Sequence, residues 1–117
     1  MGEVALTKKD IIAINQQFSD GFFENESSLD YALSNQKRNI PWTKKMAYLI
    51  RAILVDHTFS DGNKRTACFI LIYFVESNDY RIEQKKALNI IKRIVLKNIA
   101  SINKIRDMIE DAIAKED

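Results

Sequence analysis

The nine residues from His57 to Arg65, HTFSDGNKR, set a histidine, an acid, a Gly-Asn pair and two cations side by side. The histidine is the only one in the chain, and Gly62 is one of three glycines. An imidazole can take a proton from an attacking hydroxyl, a role typically worth about 10²–10⁴ in rate. A lone carboxylate such as Asp61 cannot build a calcium cage, but Mg²⁺ is commonly held by one or two carboxylates together with substrate phosphates. Gly62 lets the backbone approach a ligand closely, and Gly and Asn both tolerate unusual φ angles. Lys64 and Arg65 add positive charge, Arg65 as a planar fork suited to phosphate. Phe59, between the polar groups, is expected to point inward and anchor the loop. The consistent set is a nucleotide, Mg²⁺ on Asp61, phosphates on Gly62 to Arg65, and His57 as base.

The flanking elements must present these groups. Upstream, Met46, Leu49, Ile50, Ile53 and Leu54 recur at i, i+3, i+4, i+7 and i+8, which predicts a helix. Thr43 is its expected cap and His57 its approximate end. Downstream, Asp61 is the expected N-cap of a further helix, whose start is a natural anion site because its N–H groups lack partners. Two cations in that first turn disfavour the helix itself, which a bound anion would offset. From Ala67 to Val75 the run is apolar all round, which predicts a buried central helix. Four more helices are expected. Thr7 with Asp10 starts one carrying Ile11, Ile12, Ile14 and Phe18. Ser28 caps a short one with Leu29, Ala32 and Leu33. Two amphipathic helices follow a brief extended Tyr80-Arg81-Ile82, the second capped by Ser101. The predicted fold class is all-α, a bundle around one central helix.

Composition narrows the classes. A chain of 117 residues, 46% hydrophobic and 29% charged, predicts one globular domain over residues 1–117. Eighteen basic and 16 acidic residues leave a net charge of +2, which gives no ground for a nucleic-acid partner. One cysteine excludes an internal disulfide and a Cys-cluster metal site. The longest apolar run, nine residues, is about half of a membrane span, and MGEVALTKKDIIAI lacks the pattern of a leader. A cytoplasmic location is expected.

Each motif residue alone has a plainer account. A histidine at a helix end is usually a dipole contact, an Asp before a helix a cap, Gly-Asn a turn, and Lys-Arg a solvated pair. Cys68 reads as inert core. The joint spacing is what resembles a known family. His57-Thr-Phe59-Ser-Asp61-Gly62-Asn63-Lys64-Arg65-Thr66-Ala67 is similar to the signature of the Fic/Doc family, most of all its death-on-curing (Doc) branch. Asn25 to Leu33 and Phe74 to Ile82 resemble that branch's flanking segments, so the likeness covers most of Leu6 to Ile82.

The resemblance implies a Fic-like helical bundle that transfers phosphate-containing groups from nucleotides to protein hydroxyls. It implies His57 as general base, Asp61 as Mg²⁺ ligand, Gly62 and Asn63 as anion hole, and Arg65 as phosphate contact. Members that transfer AMP generally carry Gly-Asn-Gly-Arg and a second arginine three positions on. Here those positions are Lys64 and Cys68, as in the Doc branch. That branch implies an inverted ATP and transfer of the γ-phosphate, with Lys64 part of the site. AMP or another NMP is the alternative, and a non-catalytic partner-binding module is a third reading, against which the intact motif set stands. The branch also implies a toxin, a separate antitoxin, and elongation factor Tu as target. A built-in inhibitory Ser/Thr-x-x-x-Glu-Gly/Asn pattern is absent: Ser19 to Asn25 has one residue too many. Ser34 to Trp42 falls where the family has a target-docking flap, and reads equally as a small β-hairpin or an ordinary loop.

Overall fold

Residues 5–115 are described by a computed structural model; the last two residues and the first four, part of the stretch read for a leader, lie outside the described residues. The described residues form an all-α bundle of six α-helices: α1 (Lys8–Asn15), α2 (Glu26–Ser34), α3 (Trp42–Leu54), α4 (Asn63–Ser77), α5 (Gln84–Lys97) and α6 (Ile102–Ala112). Its only sheet among the described residues joins β1 (Tyr80–Arg81) to β2 (Ala114–Lys115), antiparallel, with Tyr80 opposite Lys115. No helix among the described residues is long and apolar enough to cross a membrane.

Two helices carry the centre. α3 packs on α2, α4 and α6, and α4 packs on α1, α3 and α5. α3 buries Met46, Leu49, Ile50, Ile53 and Leu54, the periodic set, against Ile70, Leu71 and Phe74 of α4 and Ile105 and Ile109 of α6 in one connected core. α4 is not covered all round, although its sequence is apolar all round. Phe69 and Tyr73 are 38% and 41% exposed, and Cys68 and Ile72 are half-buried. α5 shields only part of this side, and no described element closes the stripe.

Helix ends follow local polar chemistry. Thr7 and Asp10 form a reciprocal capping box on α1, and Ser101 caps α6 by accepting from Lys104 N–H. Three expectations are corrected. Asn25, not Ser28, caps α2; its side chain accepts from Ser28 N–H, and Ser28 instead bonds toward Thr58. Pro41 precedes α3, because Thr43 lies one position inside it and donates to Glu110 Oε2 at 2.6 Å. α3 ends at Leu54, short of His57.

No β-hairpin forms over Ser34 to Trp42. Asn35–Lys37 is a single 3-10 turn. Asn35 is buried, donates to Tyr31 O and accepts from Arg38 Nη1, while the Gln36 amide pairs with both N–H and C=O of Leu6. Within the segment the backbone bonds are local, from Arg38 N–H to Asn35 O and from Ile40 N–H to Arg38 O, and no ladder forms. Extended pairing occurs elsewhere: Phe23 bridges Phe59, with Ser60 N–H donating to Phe22 O and Glu24 N–H to Thr58 O.

Candidate active site

The turn between α3 and α4 is fixed from behind. Thr58 is fully buried, and its N–H and hydroxyl both donate to Ala52 O, at 3.2 and 3.0 Å. Phe59 is buried as its sequence position suggested, and stacks on Phe23 with centroids 5.3 Å apart. The Asn63 side chain closes the turn on itself: Oδ1 accepts from Phe59 N–H at 3.1 Å and Nδ2 donates to Phe59 O at 2.8 Å. His57 sits between these anchors and the end of α3 at φ 53. That left-handed backbone is uncommon outside glycine and is found in residues held by their surroundings. His57 lies three residues past Leu54, the last residue of α3, and not within its final turn.

Asp61 is not the N-cap of α4, which corrects the sequence reading. Gly62 takes that position, at φ 76 in the left-handed region, and no side chain caps the helix. A Cβ there would lie 3.1 Å from Asn15 Nδ2 and 3.2 Å from Ser19 Cβ, so the turn needs glycine for both conformation and space. The first bond of α4 runs from Thr66 N–H to Gly62 O. The N–H groups of Gly62, Asn63, Lys64 and Arg65 therefore have no acceptor among the described residues. With the Asp61 carboxylate not engaged in capping, its nearest partner is the Ser19 hydroxyl at 3.5 Å.

These groups meet at one cleft of about 470 Å³, lined by His57, Asp61, Gly62, Asn63, Lys64 and Arg65, with Phe18, Leu54, Ser60 and Val95 completing the wall. The volume is within the range of small-molecule sites. Lys64 and Arg65 are exposed and form no ion pair among the described residues. Open N–H groups, a helix N-terminus and two cations without ion pairs are the features by which proteins can hold an anion. Asp61 is the one carboxylate in the lining, and no group of three His, Cys, Asp or Glu ligands forms among the described residues. That donor set fits a Mg²⁺ ion arriving with a phosphorylated ligand and not an all-protein cage.

Cys68 is not in this cleft. It lines a neighbouring apolar cavity of about 320 Å³ with Phe69, Ile72, Leu88 and Ile91, which shares Phe18, Lys64 and Arg65 with the cleft. Burial pushes the Cys68 thiol pKa up, away from nucleophilic use.

Sequence reasoning missed Asn15, which is fully buried beneath the turn. The signal was present: Asn15 falls four residues after Ile11, a polar residue on the apolar stripe of α1. Val95 was also missed as a cleft residue, since only packing brings α5 to the site.

The chain matches the Fic/DOC family model over residues 5–75, from before α1 to near the end of α4. It belongs to the Fic/DOC family, whose members modify proteins by transferring phosphate or nucleoside monophosphate groups. Neither a curated protein nor a solved structure matches it.

Proposed function

We propose that this chain is a Doc-like protein kinase, transferring the γ-phosphate of ATP to a hydroxyl of a target protein. The observation that carries this reading is Lys64. It follows the Gly-Asn pair, lines the cleft and has no ion-pair partner among the described residues. A long cation there takes the space that AMP-transferring relatives leave to the phosphates, and Cys68 removes the second arginine.

In this reading the ATP phosphates lie along the N–H groups of Gly62 to Arg65, held by Lys64 and Arg65. His57 takes the proton of the target hydroxyl as that oxygen bonds to the γ-phosphorus, and ADP leaves. Asp61 holds Mg²⁺, which supplies charge neutralisation of the phosphates when bound. The protein's own contribution is position and fixed positive potential, the main source of catalysis in phosphoryl transfer. Phe59 acts through the turn it anchors. The target class implied by the Doc-like motif is a translation factor such as elongation factor Tu, with a separate antitoxin as inhibitor and the cytoplasm as the setting. No nucleic-acid or membrane partner is needed.

Transfer of AMP or another NMP is the second reading, favoured by family membership itself, which embraces both reactions. ATP labelled at the α- or the γ-phosphate separates the two. A non-catalytic partner-binding module would leave growth inhibition unchanged in His57→Ala, whereas the kinase reading predicts relief.

A further inference from the structure

The chain's least exposed polar amide lies directly under the phosphate-site turn. Asn15 closes α1 with its side chain at 0% exposure. Its Nδ2 donates to Asp61 O at 2.9 Å and to Thr66 Oγ1 at 3.1 Å, and its Oδ1 accepts from Gly21 N–H at 2.9 Å. Every polar atom is used, and two of the three bonds reach the motif turn. One of them acts on the peptide unit joining Asp61 to Gly62. That unit is trans, so its C=O and N–H point in opposite directions. Asn15 draws the carbonyl into the interior. The Gly62 N–H is therefore turned away from Asn15, and it has no acceptor among the described residues. Gly62 itself lines the cleft. The left-handed φ of Gly62 makes the flipped peptide accessible in the absence of this bond, because glycine resists neither orientation.

We propose that Asn15 is a positioning residue that sets the anion hole, by holding the Asp61 carbonyl inward so that the Gly62 N–H faces the ligand's phosphate. The inference rests on the reading of Gly62 to Arg65 as a phosphate site. A purely structural Asn15 would matter equally through both of its motif bonds. A positioning Asn15 matters through the Asp61 bond, and Thr66 is the spectator.

The test titrates the ¹⁵N-labelled full chain with Mg²⁺ and the non-hydrolysable analogue AMPPNP. It follows the amide resonances of Gly62, Lys64 and Arg65 in wild type, Asn15→Asp and Thr66→Val. Asn15→Asp keeps the shape and the Oδ acceptor but removes the donor to Asp61 O. The expected result is a shift at all three amides in wild type. In Asn15→Asp, affinity falls about 10- to 100-fold, the worth of one hydrogen bond to a charged group, and the Gly62 response is lost while Lys64 and Arg65 still move. Thr66→Val stays within about threefold of wild type. If Asn15→Asp does not fold, Asn15→Ser, which removes the amide without adding charge, is read in the same way. A folded Asn15 variant that binds within about threefold of wild type, with an unchanged Gly62 shift, overturns the inference and leaves the phosphate site standing. No shift at any of the three amides in wild type overturns the phosphate site itself.

Discussion

The connection from α2 to α3 and the connection from α3 to α4 are both short and polar, and both pass next to the core. Their side chains behave oppositely. In the first, Asn35 bonds Tyr31 and Arg38, and Gln36 satisfies Leu6. In the second, Thr58 ties the turn down together with Asn63 at the start of α4, while His57 and Asp61 line an open cleft with Lys64 and Arg65 of the first turn of α4. Polarity alone does not mark a site. The mark is convergence: His57, Asp61, the open N–H groups and two cations without ion pairs among the described residues line one cleft, on a turn that Thr58 and Asn63 hold from behind. Rigidity behind and open valence in front are what a preorganised site requires.

The contrast can be broken from either side. The largest effect is expected from His57→Ala, with phosphate transfer down by about 10²–10⁴ and thermal midpoint little changed, since the side chain is exposed and makes no hydrogen bond or ion pair among the described residues. Label transfer and a melting curve on the same sample check both halves. Gly62→Ala comes next, with transfer down by about 10²: a side chain at φ 76 is strained, and its Cβ would press on Asn15 Nδ2 at 3.1 Å. If Gly62→Ala is as active as wild type, the turn is not the anion hole. The double change Lys64→Gly and Cys68→Arg sharpens the comparison within the open set. It restores the two features of AMP-transferring relatives, and the expected outcome is label arriving from the α-phosphate.

The first connection gives the mirror result. Asn35→Ala should cost about 1–3 kcal/mol in denaturant unfolding, because it leaves buried polar groups unpaired, and should leave the rate of transfer per folded molecule unchanged. The smallest effect concerns α1. The backbone N–H of Thr7 and its hydroxyl hold the Asp10 carboxyl below its ordinary pKa. A depressed folded value means a contribution present above the ordinary carboxylate range and lost as pH falls through the folded value. Asp10→Asn should flatten that part of the acid limb in a melting-midpoint-against-pH series and leave the neutral region alone.

Much of the fold is legible because it is local. The periodicity of α3 and the capping box at Thr7 and Asp10 need only neighbours within a few turns. The motif residues are legible as a cluster for the same reason, being contiguous. What the sequence hides is tertiary. Thr43 reads as a cap until Glu110 takes its hydroxyl. Asp61 reads as a cap until Asn15, 46 residues earlier, holds its carbonyl and Gly62 takes over the helix start. The Ala67 to Val75 run reads as buried all round, yet burial depends on which neighbours arrive, and among the described residues none covers Phe69 and Tyr73 fully. Asn15 itself looks like a flaw in an apolar stripe, because its partners lie on three different segments.

The most direct test of the central claim is label transfer in a cell extract. Wild type and His57→Ala are each incubated with Mg²⁺ and ATP labelled at the α- or the γ-phosphate. γ-label on a protein band with wild type, absent with His57→Ala, is the predicted result. α-label on that band, or γ-label that survives loss of His57, contradicts it.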